Sequence, residues 1–321
     1  MIIVTGGLGF IGSNIIKGLN DIGYKNIIIC DWINKSVKKN ISKRQYTKII
    51  KPDYLFNFLN NNKKIDYIIH MGAISSTIEN DFRLIYNNNT VLSRNIWNWC
   101  TDNNIKLIYA SSAATYGDGK NGFSDNKTNK FKPLNYYGWS KYFFDKYVIK
   151  QSLKNNCPPQ WVGLKFFNVY GPNEYHKGKM QSVVKHSIDQ YKSSKFVKLF
   201  KSYNAKYKNG QQIRDFIYID DCVSIIKWLI KNPKINGIYN CGTGLGRSFE
   251  DLVKAMFKAI NKPPKIKYIE MPNEIKNQYQ YYTEAEMFKL KNIGYNKSFT
   301  SLEDGVKDYV NNYLLTTDIY K

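Results

Sequence analysis

The sequence is short of acids, of paired cysteines and of long apolar runs, and each shortage closes off a class of protein. Its five cysteines (Cys30, Cys100, Cys157, Cys222 and Cys241) are scattered among 321 residues. Their number is odd and none stand in C-x-x-C spacing, which excludes a disulfide frame and a cysteine-held zinc site and suits reduced thiols. The longest apolar runs, such as 27–30 and 65–69, are strand-sized and far below the ~20 residues a bilayer crossing needs. The opening M-I-I-V-T-G-G runs directly into an expected strand, leaving no room for a signal peptide, so a cytoplasmic protein is expected. There is no low-complexity tail and no internal repeat.

Acids number 25 against 48 Lys and Arg, a net charge of +23. One reading of that charge is a nucleic-acid or anionic-surface binder. The cations are spread along the chain, as in K-N-I-S-K-R (39–44) and K-Y-K-N-G (206–210), with no dense block. Over-use of Lys, Asn, Ile and Tyr accounts for them as compositional bias. Neither nucleic acid nor membrane is therefore the expected partner, although an anionic small substrate would benefit. A hydrophobic content of 43% is enough for a sizeable core and two lobes.

Short apolar runs alternate with helical stretches, the pattern of a parallel sheet with crossover helices. Strands are expected at 2–5, 26–30, 66–70, 106–110, 161–166, 196–200, 214–218 and 237–241. Helices are expected near 11–22, 52–61, 80–101, 137–153, 179–192, 219–231, 248–260, 283–291 and 301–313. The fold class is α/β, a doubly wound parallel sheet. One domain of this kind is expected over 1–167, completed by about 212–241, with a smaller C-terminal α/β lobe over 168–321.

T-G-G-L-G-F-I-G (5–12) follows the first strand and opens a helix. Gly6 permits a tight turn, Gly9 lets backbone approach a pyrophosphate, and Gly12 packs helix on strand. Asp31 ends the second strand, where a carboxylate would hold the adenosine ribose and favour NAD. Lys35, Lys38 and Lys39 follow closely and would neutralise a 2′-phosphate, so the residues leave NAD and NADP open. M-G-A-I-S (Met71, Gly72, Ala73, Ile74, Ser75) offers small residues where a cofactor passes the backbone. Tyr137 and Lys141, four apart on one helix face, can address the same nicotinamide ribose. Ser112, in S-S-A-A-T-Y-G, is placed to hydrogen-bond the reacting oxygen. A free phenol has a pKa of ~10, so base duty near neutrality requires a fall of ~3 units, which Lys141 and a cationic nicotinamide would supply.

T-G-G-L-G-F-I-G-S-N, Y-A-S-S-A-A-T-Y-G, P-L-N-Y-Y-G-W-S-K, F-F-N-V-Y-G-P-N-E-Y-H-K-G, R-D-F-I-Y-I-D-D and Y-N-C-G-T-G together resemble the extended short-chain dehydrogenase/reductase superfamily, the NAD-dependent epimerases and dehydratases. The likeness covers nearly the whole chain, and the stretch through H-K-G narrows it to the branch that inverts C6 of an ADP-linked heptose. The resemblance implies NADP ahead of NAD, surrounded by Phe10, Ile11, Asp31, Trp32, Lys38, Asn88, Lys141, Val169 and Lys177, with Lys51 a weaker match in a shortened region. It implies Tyr137 and Lys177 as the two acid/base groups and Asn168, Lys179, His186, Phe200, Arg214 and Tyr279 as contacts to the ADP-sugar. It also implies a homo-oligomer, a pentamer among the options. No metal is expected. Lys179 stands where a small residue belongs, Met71 replaces an acid, and F-K-S-Y (200–203) replaces an acidic, glycine-containing turn.

The implied chemistry makes physical sense. A carbinol hydrogen without an adjacent carbonyl is not acidic at neutral pH, so it must leave as hydride, giving a transient 6-keto sugar. Return of the hydride to the other face then requires a second proton donor there, with Lys177 the first candidate and His176 the runner-up. Competing readings are a nucleotide-sugar 4-epimerase or keto-reductase on the same fold and a non-catalytic NADP- or nucleic-acid-binding protein.

Overall fold

The computed structural model describes residues 1–62, 64–126, 131–276 and 279–321. The first half of the chain lays down β1 (Ile2–Thr5), β2 (Ile27–Cys30), β3 (Lys48–Ile50), β4 (Tyr67–His70), β5 (Lys106–Ser112) and β6 (Trp161–Phe166). The second half adds β7 (Asn168–Tyr170), β8 (Val197–Phe200), β9 (Ile213–Tyr218), β10 (Gly237–Cys241), β11 (Gly246–Ser248) and β12 (Ile266–Ile269).

Seven strands form one sheet in the order β10-β6-β5-β4-β1-β2-β3, with every pairing parallel. Residues of β1, β2 and β4 are all buried, as parallel strands covered on both faces require. Alternation along a strand sends neighbours to opposite faces. Ile2 and Val4 thus join Ile15, Ile16 and Leu229 in one core, while Ile3 joins Leu55, Trp97, Phe144 and Val148 in the other. This is the expected doubly wound α/β fold. The strand order reverses between β1 and β4, and a crevice opens there at the carboxyl ends of the strands. After β6 the chain builds a three-stranded sheet, β11-β9-β7, and a two-stranded one, β12-β8, and returns β10 to the edge of the large sheet.

Several elements differ from the sequence expectation. β3, β7, β11 and β12 were not expected: they are short and largely uncovered, so they lack the continuous buried apolar run that marks β1, β2 and β4. The long helix expected over 80–101 is Phe82–Ile85, a π-type bulge at Tyr86–Val91, then Leu92–Asp102. The helix expected at 179–192 is a tight 3₁₀ segment, Tyr175–Met180, followed by Val183–Ser194. The helix expected at 283–291 shrinks to Phe288–Asn292. Tertiary contacts override helix propensity there: Thr283 N–H donates to the Ile213 carbonyl at 3.2 Å and Ala285 N–H to Asp215 at 3.0 Å. Among the described residues, no helix is long and apolar enough to cross a membrane.

Candidate active site

A cavity of about 750 Å³ opens at the crevice, walled by the ends of β1, β2, β4 and β5, the helix Tyr136–Ser152 and segments from the second half of the chain. The glycine loop shapes its floor. Gly6 has φ +65°, and a Cβ there would lie 2.7 Å from Gly72. A Cβ on Gly12 would lie 2.2 Å from the Gly6 carbonyl oxygen, so the helix Phe10–Asp21 approaches the loop closely only because that atom is missing. Gly9 caps this helix without a side-chain acceptor, leaving the first amides directed at the cavity mouth. Asp31 braces the loop: its carboxylate accepts from Leu8 N–H at 2.9 Å and from Trp32 N–H at 2.8 Å. Burial holds Asp31 above the usual carboxylate range, opposed by those amides.

Ser112 ends β5 and Tyr137 opens the helix opposite, capped by Asn135, whose side chain accepts from Gly138 N–H at 2.8 Å. Lys141 stands one turn on, buried, and its Nζ donates to the Ala110 carbonyl at 2.9 Å. Burial raises the Tyr137 phenol above its ordinary value and Asp145 adds to the rise, while a hydrogen bond with Ser112 pulls the other way. The depression of Tyr137 by Lys141 expected from the sequence is not what this geometry gives, because the ammonium is engaged by a backbone carbonyl and burial dominates. Lys141 itself is drawn down to about 8 by burial, against the pull of Asp145.

From the other side comes the 3₁₀ segment Tyr175–Met180, carrying Lys177 and His176 into the same cavity. Lys177 Nζ lies 5.3 Å from the centre of the Phe10 ring. Burial lowers its pKa, and the charge of Glu174 opposes this. Glu174 is fully buried, accepting from the Ser182 hydroxyl at 2.6 Å and from its N–H. His176 shares a 3.3 Å contact with Asn40, and burial holds its imidazole below the ordinary value.

Of the residues named from sequence, Gly6, Gly9, Phe10, Ile11, Gly12, Asp31, Trp32, Met71, Gly72, Ala73, Ile74, Ser75, Ser112, Tyr137, Lys141, Asn168, Val169 and Lys177 line this cavity. Lys38, Lys51, Asn88, Lys179, His186, Phe200, Arg214 and Tyr279 do not. Asn88 bonds to the Leu84 carbonyl on its own helix at 3.0 Å. His186 is spent on the carbonyl of Lys179 at 3.4 Å. Arg214 sits between the rings of Phe249 and Tyr279, 5.3 Å from each centre.

The sequence reading missed several residues that shape the site. Asn89, turned inward by the π-type bulge, bonds both Ile74 N–H and Ile74 carbonyl at 2.9 Å and Ser140 at 3.0 Å, tying the loop after β4 to the helix of Tyr137. A run of three asparagines gives no means of choosing the buried one. Gln280 and Thr283 reach the cavity from the far end of the chain, with no local signal. Lys165, fully buried, had one: it is the lone charge in W-V-G-L-K-F.

The model of the family described as NAD dependent epimerase/dehydratase matches residues 2–242. The ADP-L-glycero-D-manno-heptose-6-epimerase of Fusobacterium nucleatum is 49% identical over 100% of both chains. The protein of that name from Nitratidesulfovibrio vulgaris is 43% identical over 99% of both. A crystal structure of the Helicobacter pylori ADP-L-glycero-D-manno-heptose-6-epimerase superposes with a TM-score of 0.78 at 28% identity, covering 97% of this chain and 95% of that one. A glycine-floored crevice at the strand reversal, a Ser-Tyr-Lys wall beside it and full-length relatives of this similarity lead to one assignment: the chain belongs to the NAD dependent epimerase/dehydratase family.

Proposed function

We propose that this protein is an isomerase that inverts C6 of the heptose in ADP-D-glycero-β-D-manno-heptose to give ADP-L-glycero-β-D-manno-heptose. The observation that carries the reading is that two proton-handling groups from separate parts of the chain, Tyr137 and Lys177, line one cavity. The names of the full-length relatives support the same substrate.

The dinucleotide proposed is NADP. The floor fits one, since glycines at 6 and 12 let the helix Phe10–Asp21 close on the loop and that helix begins with no side-chain cap on its first amides. Gly6, Gly9, Phe10, Ile11 and Gly12 would hold the pyrophosphate, Asp31 and Trp32 the adenosine end, and Tyr137, Lys141 and Val169 the nicotinamide end. Lys35, Lys38 and Lys39, just beyond the cavity-lining Trp32 and Asn34, support a 2′-phosphate. When bound, the cofactor supplies a hydride acceptor and then a hydride donor at C6 of the sugar.

The chain's own work is proton placement. Tyr137, with Ser112, serves the C6 oxygen on one face, and Lys177 serves it after the sugar turns. Burial pushes the phenol up and the amine down, each toward its neutral form. The two half-reactions balance in protons: as hydride leaves C6 one of the two groups takes the hydroxyl proton, and as hydride returns to the other face the second group gives one to the C6 oxygen. A 4-epimerase would leave Lys177 without a task. Water elimination would need an acid/base pair after Ser112, where Ala113 and Ala114 line the wall. In this reading residues 1–167 with 212–241 hold the dinucleotide and the remainder of 168–321 the sugar, in a cytoplasmic homo-oligomer, a pentamer by resemblance.

Proton NMR of purified protein with ADP-D-glycero-β-D-manno-heptose tests the proposal: the C6 epimer accumulates without added reductant. Deuterium from the solvent at C6 would sink internal hydride return. Undiminished epimerisation by Lys177→Ala would remove Lys177 from the mechanism.

A further inference from the structure

One turn beyond Lys141, on the same helix face as Tyr137 and Lys141, Asp145 is 2% exposed. Its Oδ2 accepts from Lys165 Nζ at 2.6 Å and from Ser111 Oγ at 2.7 Å, and its Oδ1 from Tyr109 OH at 3.2 Å. Lys165 is 0% exposed and donates also to Thr115 Oγ1 at 2.7 Å, with the Tyr116 ring centre 5.1 Å away. Tyr109 and Ser111 lie on β5 beside Ser112, Thr115 on the turn after it, and Lys165 on β6. A buried ion pair is a poor source of stability compared with apolar side chains of the same size. Here it joins the three elements around the Ser-Tyr-Lys wall.

We propose that Asp145 and Lys165 are positioning residues: Lys165 pins Asp145, and Asp145 is the counter-charge of Lys141 while tying its helix to the strand that bears Ser112. The inference rests on the reading of Tyr137 and Lys141 as reaction-site groups. Among the described residues, the groups whose charge is felt at Lys141 or that feel its own are Asp145 on its own helix and His70 on β4, Tyr137 shares the helix face, and Tyr109 on β5, Tyr116 on the following turn and Lys165 on β6 surround Asp145. Asp145 is the only carboxylate among them, and it acts to keep the proton on Lys141 and on Tyr137. Its neutralisation therefore lowers both pKa values, and the alkaline limb of the pH–kcat profile moves toward acid by about one unit.

A thermal-stability cycle tests this without substrate, using wild type, Lys141→Met, Asp145→Asn and the double variant across pH 5 to 11. Lys141 holds its proton less tightly folded than unfolded, so its contribution to stability rises with pH from its folded toward its unfolded value. The difference between wild type and Lys141→Met begins to rise near pH 8, and in the Asp145→Asn background it begins about one unit lower. Asp145→Glu restores the wild-type onset. An onset unmoved by Asp145→Asn, or displaced equally by Asp145→Glu, overturns the proposal. If Asp145→Asn does not fold, Asp145→Asn with Lys165→Met, which removes one charge of each sign, carries the cycle. Should the wild type leave ADP-heptose unchanged, the functional reading fails while this cycle still returns its answer. Where activity is present, a purely structural Asp145 lowers kcat without moving the alkaline limb.

Discussion

The two walls of the cavity are built by different means. On one, Gly6, Met71 and Ser112 end adjacent parallel strands and Tyr137 and Lys141 share a helix face, so backbone ladders fix their spacing. On the other, Lys177 rides a 3₁₀ segment held by single side-chain bonds: Ser182 to Glu174, Asn173 to Ser13 at 3.1 Å, Gln181 to the Tyr175 carbonyl at 2.6 Å, and Tyr175 to the Ile319 carbonyl at 2.5 Å. The ladder wall keeps its shape when one side chain changes. The tethered wall depends on each tether, and its chemistry is the easier to displace.

The largest effect that sharpens this contrast is Tyr137→Phe. It removes only an oxygen from the ladder wall, so kcat is expected to fall about 10³-fold with Tm nearly unchanged. Lys177→Met on the tethered wall lowers epimerisation by about 10²-fold or more, measured by the same NMR assay. Glu174→Gln then asks whether the tethers also tune the amine. Glu174 acts to raise the pKa of Lys177, so its neutralisation lowers that pKa and leaves the base form present at lower pH. The acidic limb of the pH–kcat profile accordingly moves to lower pH. A limb that stays in place would mean that Glu174 serves only to hold the loop.

Gly12→Ala strikes the ladder wall where it has no slack. The new Cβ would meet the Gly6 carbonyl oxygen at 2.2 Å, a backbone atom with little room to give. A loss of about 1–3 kcal/mol in denaturant unfolding is expected, with weakened dinucleotide binding. The same exchange at Gly178 meets no atom within 4 Å, although its φ of +53° is strained for alanine, so a smaller loss is expected there.

The same contrast decides what was legible in the sequence. Glycine spacing, the i, i+4 pair and strand-length apolar runs are local patterns with fixed periods, and they located the floor and the Ser-Tyr-Lys wall. The tethers join residues far apart in sequence, such as Asn173 with Ser13 and Gln280 with the Gly117 carbonyl, and no local period encodes such pairs. Arg214, which the resemblance implies as a sugar-nucleotide contact, has its guanidinium between two rings outside this cavity, a placement that its motif does not encode. Helix propensity misled at 283–291 for a related reason, since acceptors on and beside β9 hold that backbone extended.

The finest test lies within N-N-N (87–89), where neighbouring asparagines of identical chemistry meet opposite surroundings. Asn89 is 0% exposed and makes three bonds that clip the Ile74 loop to Ser140. Its replacement by Ala strands the Ile74 N–H and carbonyl, and a loss of about 1–3 kcal/mol is expected. Asn88, half-buried and bonded only to Leu84 on its own helix, should shift stability by less than about 0.5 kcal/mol as Ala. Dinucleotide affinity should follow the same order, because the Ile74 loop lines the cavity and Asn88 does not. If Asn88→Ala instead weakened binding while Asn89→Ala left it intact, the bulge would have to place the other asparagine inward, and the link between the loop after β4 and the helix of Tyr137 would be lost with it.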